Sequence, residues 1–287
     1  PAAFGELIGP FPQALVVREN QPSLPSTHDL VARDAKTSHI APGTDRTTAI
    51  NVNLILPIRR APTVVSYIPT AVRFPGREVV GYEALSRGPE GCYLETADNL
   101  FGFTERAGML GEVELLCVDR ALENARKLPD GSILFLNLSM LGLEYIESEG
   151  LGLTGRIKNA GRSPAECVLE ITERTYAESA SRLRERVAEL RKHGFRIAID
   201  DMGTGYSALH VLAELQPDFI KLDKMLVRDL PEEPIKRNLV SAIIGFARDS
   251  QSVVIAEGVE TEDEVQTLES LGIELQQGYF FGYPEPA

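Results

Sequence analysis

The chain has 287 residues, of which 43% are hydrophobic, and a net charge of −13, with a pI of about 4.9. That length supports one large domain with a real core, with or without an appendage. The acidic balance argues against a nucleic-acid polymer as partner, because such a surface repels polyphosphate. No apolar run is long enough to insert into a membrane.

Residues 1–61 carry Pro, Thr, Ser and Asp without sustained periodicity, as at Pro22, Pro25, Pro42 and Gly43. They read as an N-terminal arm or linker, with one possible short strand at 50–56. The chain starts Pro1-Ala2-Ala3 without Met and is expected to be a domain of a larger protein. Cys92, Cys117 and Cys167 are odd in number and form no C-x-x-C. They read as buried, reduced thiols of a cytoplasmic protein.

From 62 to 287 the pattern is regular. Short β-branched runs stand at 64–68, 78–82, 133–138, 167–171, 196–199, 219–222, 253–256 and 278–281, mostly separated by helical segments. Eight such units predict a parallel sheet and, at this length, a (β/α)8 TIM-like barrel. An open doubly wound sheet is the alternative. Leu183, Val187 and Leu190 give the segment 176–193 one apolar stripe, and Gly194 stops it. Pro234 opens a helix through Ile235, Leu239, Ala242, Ile243 and Phe246. Thr261 and Glu264 form a capping box, opening a helix that ends at Gly272.

The chemistry lies where the apolar runs end. The run at 196–199 leads into Asp200 and Asp201, then Met202, Gly203, Thr204 and Gly205. Glu83, Asn137, Glu170 and Glu257 close other runs, and Lys221 another. In a parallel barrel these ends share one face. Singly, each carboxylate reads as a solvated loop residue, the Asp pair as a helix cap, and Lys221 as a counterion for Asp218 or Asp223. Together they predict one metal site. Oxygen ligands without histidine select Mg²⁺ or Mn²⁺. Two such ions about 3.5–4 Å apart clamp an in-line displacement at phosphorus, so phosphodiester hydrolysis is the expected reaction.

The segment Gly81-Tyr82-Glu83-Ala84-Leu85, followed by Arg87, resembles the signature of EAL-domain cyclic di-GMP phosphodiesterases. Six further motifs follow in that family's order: Leu136-Asn137-Leu138-Ser139, Leu169–Glu173, Ile199–Ser207, Ile220–Asp223, Ile255–Thr261 and Gln277–Phe280. The resemblance covers about 62–286. It implies a barrel whose first strand is antiparallel, and hydrolysis of cyclic di-GMP to linear pGpG. It implies metal ligation by Glu83, Asn137, Glu170, Asp200, Asp201 and Glu257, with Glu257 also viewed as a general base. Lys221 would orient water or stabilise developing charge. Arg87, Leu85, Gln277 and Pro69 would line the substrate site. Glu173 would hold the 201–207 loop with Gly203, Thr204 and Gly205, and Glu260 would support the site from behind. A homodimer through that loop is implied as well, in the cytoplasm of a bacterium.

The first strand reads Ile68-Pro69-Thr70 where most family members carry Gln-Pro-Ile, and Gly88 stands where they carry an aromatic. These departures keep open the alternative of an EAL-like receptor that binds cyclic di-GMP with weak or no turnover.

Overall fold

The computed structural model describes residues 64–73, 78–203 and 208–286. All of them belong to one compact unit, Leu54–Ala287. The arm expected over 1–61, the possible strand at 50–56, and Thr204 and Gly205 lie outside the described residues.

Strands β1 (Val64–Arg73) and β2 (Glu78–Arg87) follow each other directly. Helices α1 (Ala97–Arg106) and α2 (Leu110–Asn124) lead to β3 (Ile133–Asn137). Then come α3 (Met140–Ser148), α4 (Gly152–Asn159), β4 (Cys167–Thr172) and α5 (Glu173–Lys192). Next are β5 (Arg196–Met202), α6 (Ala208–Leu215), β6 (Phe219–Leu222) and the short α7 (Lys224–Val227). The chain ends through α8 (Pro234–Ser250), β7 (Val253–Ala256), α9 (Glu262–Ser270), β8 (Leu275–Gln276) and β9 (Glu285–Pro286). The fold is α/β, with a curled sheet whose strands β2 to β8 are mutually parallel. Strand β1 pairs antiparallel with both β2 and β8.

Parallel strands covered on both faces must be apolar on both faces. Side chains such as Leu134, Leu136, Leu169, Ile171, Ile197, Ile199, Ile220 and Leu222 pack with the helices in the main core. Their neighbours at the alternate positions, Phe135, Val168, Ala198, Phe219, Ile255 and Leu275, make a separate buried cluster on the other face. This is the two-residue period of a strand. Phe135 and Phe219 meet edge to face there, with ring centroids 5.5 Å apart.

Several expectations need correction. The last run at 278–281 is not a strand; β8 lies earlier, at Leu275–Gln276. A Cβ on Gly278 would overlap the backbone of Val259, and Phe280 N donates to Val259 O, so this segment folds back onto the β7–α9 loop. Strand β2 continues through Glu83 to Arg87 because β1 pairs with it along its whole length. Helix α5 begins at Glu173, three residues before the expected start. On α8 the buried residues are Val240, Ile243 and Ala247. Ile235 and Leu239, expected on the packed stripe, are 81% and 48% exposed. Cys92, expected buried, is exposed. Among the described residues no helix is long and apolar enough to cross a membrane.

Candidate active site

The separate apolar cluster positions the site. Two residues beyond Phe135 stands Asn137; beyond Val168, Glu170; beyond Ala198, Asp200; beyond Phe219, Lys221; beyond Ile255, Glu257; beyond Leu275, Gln277. Because the strand period is two, each polar residue occupies the same face as its apolar predecessor, one layer further along. The ladder register sets Asn137 directly opposite Glu170, whereas Asp200 stands opposite Thr172 and Lys221 opposite Ile255, so the polar residues are staggered from strand to strand. The result is an apolar floor under a ring of ionisable groups.

Lys221 is the centre of that ring. Its Nζ lies 2.6 Å from Glu170 Oε1, 2.8 Å from Glu257 Oε1, and 3.3 Å from both Glu83 Oε2 and Asp200 Oδ1. These four carboxylates come from three strands and the loop after β7. Asp218 and Asp223, the alternative partners, are engaged elsewhere: Asp218 accepts from Ile197 N, and Asp223 caps α7 by accepting from Met225 N. Asn137 Nδ2 donates to Glu83 Oε1 at 2.8 Å, and Gln277 Nε2 donates to Glu83 Oε2 at 2.7 Å.

Consecutive strand residues normally point to opposite faces. Asp200 and Asp201 escape this because the β5–β6 register shifts between Ile199 and Met202. Asp201 has a left-handed φ of 56°, a conformation that Asp tolerates better than most residues. Its carboxylate therefore joins those of Asp200 and Glu257, with one oxygen of each within 4.8 Å of the others.

The electrostatics are those of a site short of positive charge. Burial and the charges of neighbouring carboxylates, Glu83 first, push Glu170 well above the usual range, against the pull of Lys221. Burial raises Glu257 in the same way, opposed by Lys221. Burial, then Asp200 and Asp223, raises Asp201. Burial would also raise Glu83, but Lys221 and the hydrogen bonds from Gln277 and Asn137 bring it below the usual value. Burial opposes the charge on Lys221, yet Glu170, Glu257, Glu83 and Asp200 together hold the proton on it firmly. Glu170 has neither oxygen in a well-formed hydrogen bond, although Oε1 touches the Lys221 ammonium. Five carboxylates, Glu83, Glu170, Asp200, Asp201 and Glu257, thus face one ammonium. Divalent cations relieve both the charge surplus and the orphaned Glu170 oxygens, so this donor set fits Mg²⁺ or Mn²⁺.

The other expected site residues lie around this ring at various distances. Leu85 and Arg87 are half-buried on β2 past Glu83, and Arg87 Nη1 donates to Ser86 O. Pro69 is the β1 residue opposite Tyr82. Gly203 follows the Asp pair with φ 113°, and a Cβ there would meet Leu226 Cδ1 at 2.5 Å. Glu173 is the first residue of α5. Glu260 is exposed, and its carboxylate lies 3.9 Å from the Arg228 guanidinium. A Cβ on Gly88 would overlap the carbonyl oxygen of Leu94, which explains why no aromatic stands there. Sequence reasoning missed Glu114 and gave Ser139, named within its motif, no role of its own: Glu114 is buried on α2 and accepts from Ser139 N at 3.1 Å and Ser139 Oγ at 3.0 Å.

The EAL domain family profile matches residues 58–284. The chain belongs to the EAL domain family. Among curated relatives, this EAL domain is 30% identical over 235 residues to the bifunctional diguanylate cyclase/cyclic di-GMP phosphodiesterase MucR of Pseudomonas aeruginosa, covering 80% of this chain and 34% of that protein. It is 31% identical over 220 residues to the probable cyclic di-GMP phosphodiesterase PdeG of Escherichia coli, covering 73% of this chain and 42% of that one. The chain therefore spans well under half the length of these relatives. Among solved structures, it resembles the manganese/cyclic di-GMP complex of Klebsiella pneumoniae BlrP1 at pH 6. The TM-score is 0.71 and the identity 32%, over 78% of this chain and 56% of that one. The cyclic di-GMP complex of the PaMucR phosphodiesterase gives 0.70 and 30%, over 82% and 96%.

Proposed function

We propose that this EAL domain hydrolyses cyclic di-GMP to linear pGpG with two divalent ions, Mg²⁺ or Mn²⁺. The observation that carries the reading is the buried Lys221 ammonium amid Glu83, Glu170, Asp200 and Glu257. Such a ring has excess negative charge for a structural ion pair and suitable donors for metal.

Glu83, Asn137, Glu170, Asp200, Asp201 and Glu257 would hold the ions, which when bound supply Lewis acidity at the phosphate and lower the pKa of water. Lys221 orients the attacking water and donates to phosphate oxygen as charge builds there. Glu257, with its side chain 16% exposed, accepts the proton that water loses. The water oxygen bonds to phosphorus, the P–O3′ bond opens, and the 3′ oxygen leaves and is protonated. Gln277 and Asn137 keep Glu83 ionised and fixed by donating to its two oxygens. Arg87, Leu85 and Pro69 line the substrate side, Glu173, Gly203, Thr204 and Gly205 shape the adjoining loop, and Glu260 braces the site from outside.

The same reading assigns 62–287 to a TIM-like barrel whose antiparallel first strand is β1, and 1–61 to an arm. It makes the protein a cytoplasmic homodimer through the 201–207 loop region.

The test is incubation of the purified chain with cyclic di-GMP and Mn²⁺, then Mg²⁺, following pGpG by chromatography with an EDTA control. Metal-dependent pGpG is the expected result. Saturable binding without pGpG would instead assign a receptor, the alternative that Ile68-Pro69-Thr70 favours.

A further inference from the structure

Glu114 is a buried carboxylate that the proposed chemistry does not use. It sits on α2 and is 7% exposed. Among the described residues no Lys or Arg forms an ion pair with it, and its hydrogen-bond donors are the backbone N–H and hydroxyl of Ser139. A buried acid without a cation is costly, and burial raises this one to about 7. An apolar side chain would fill the position at lower cost, so the geometry must require the acceptor.

The geometry supplies a reason. Ser139 follows Asn137 by two residues at the end of β3. Its hydroxyl accepts from Gly142 N, capping α3, while its hydroxyl proton and its own N–H both go to Glu114. The cap needs only the serine lone pair; the extra two bonds tie the strand end to α2. The fit has no slack, because a Cβ on Gly142 would overlap Glu114 Oε2, and one on Gly111 would meet Tyr145 Cβ at 2.5 Å. Helix α2 thus grips the end of β3, the strand that brings Asn137 to within 2.8 Å of Glu83.

We infer that Glu114 is a positioning residue for the metal-binding ring, holding Ser139 so that the Asn137 carboxamide stays against Glu83. This rests on the reading of Asn137 and Glu83 as metal ligands. Partners that orient metal ligands typically contribute about 10–100-fold in metal affinity or activity. Both Ser139 bonds end on Glu114 Oε2, so Glu114→Gln, with its carbonyl oxygen in that place, keeps the volume and both bonds, whereas Glu114→Asp is one methylene short of Ser139.

The experiment is calorimetric titration of the full chain with Mn²⁺ in the absence of nucleotide, for wild type, Glu114→Gln and Glu114→Asp, with kcat and KM on cyclic di-GMP alongside. The expected result is about 10–100-fold weaker Mn²⁺ binding in Glu114→Asp, with kcat lowered and KM little changed, and near wild-type values in Glu114→Gln, while thermal melts remain cooperative. Cooperatively folded Glu114→Asp with wild-type Mn²⁺ affinity overturns the inference. If Glu114→Asp does not fold, the decision passes to Ser139→Ala, which loses only the hydroxyl; wild-type affinity there overturns it equally. A wild type that binds Mn²⁺ without forming pGpG sinks the phosphodiesterase reading alone, and the Mn²⁺ titration still decides on Glu114.

Discussion

Lys221 Nζ and Glu170 Oε1 lie 2.6 Å apart, and both side chains are 0% exposed. Glu170 is not the only carboxylate that leans on this ammonium, so the cation holds together a ring that would otherwise repel itself. Removing one partner of a buried pair costs about 3–5 kcal/mol because the other charge is left uncompensated. In a domain of this size that corresponds to a fall in Tm of about 6–20 °C. Lys221→Met should show this loss in EDTA and recover much of it on adding Mn²⁺, more than wild type gains. Turnover should remain low in saturating Mn²⁺, by about 10²–10³-fold, since the donor to the phosphate is gone. A variant that melts with wild type in EDTA contradicts the counterion role.

Asp200→Asn and Glu83→Ala separate fold from chemistry. Both change the ring without touching the apolar floor formed by Phe135, Val168, Ala198 and Phe219. Each should lose more turnover than the roughly 100-fold typical of outer partners, with cooperative unfolding intact. Chromatography of pGpG gives the first quantity and thermal melting the second. Undiminished activity in both would remove the metal-site assignment.

Gly203→Ala probes the turn behind the Asp pair. At φ 113° an added Cβ is conformationally strained and meets Leu226 on α7. Backbone strain of this kind costs about 1–3 kcal/mol. Urea denaturation should report a loss in that range. No change in the midpoint would mean that the turn adapts freely.

Much of this architecture is legible in the sequence, because apolar strand periodicity and the polar residue ending each run are both local signals. Asp200, Lys221 and Glu257 are found that way. The spacing is a further local signal: Asn137, Glu170, Asp200, Lys221, Glu257 and Gln277 each stand two positions after a residue of the apolar floor, as Ala198 precedes Asp200 and Ile255 precedes Glu257. The β5 bulge is not legible, since nothing in Ile199-Asp200-Asp201 announces a left-handed Asp201. Nor is β8, where a two-residue strand is defined by pairing with β1 and β7 rather than by its own pattern. The exposure of Ile235 and Leu239 went unread because an apolar helical stripe looks the same whether it faces this chain's core or solvent. Glu114 carries no local mark at all: on a helix a lone Glu reads as surface, and only the close approach of Gly142 reveals its burial.

Glu114 also gives stability a pH dependence. Burial lifts its carboxyl from 4.5 to about 7, whereas in the unfolded chain a Glu titrates near 4.3. Between those values the folded state binds the proton more tightly than the unfolded state does. The stabilising contribution is therefore full below about pH 4.3 and is lost as the pH rises to about 7. A difference of that size is on the order of 3 kcal/mol. The nearby Cys117 thiol, pushed up to about 11 by burial, stays neutral throughout this window and does not contribute. Glu114→Gln cannot titrate, so the gap between wild type and variant should shift against wild type by that order between pH 5 and pH 7.5. Urea melts of both proteins at the two pH values, in EDTA to keep metal binding out of the comparison, measure it directly. Parallel pH dependences in the two proteins would show that the Glu114 carboxyl gains no proton affinity on folding.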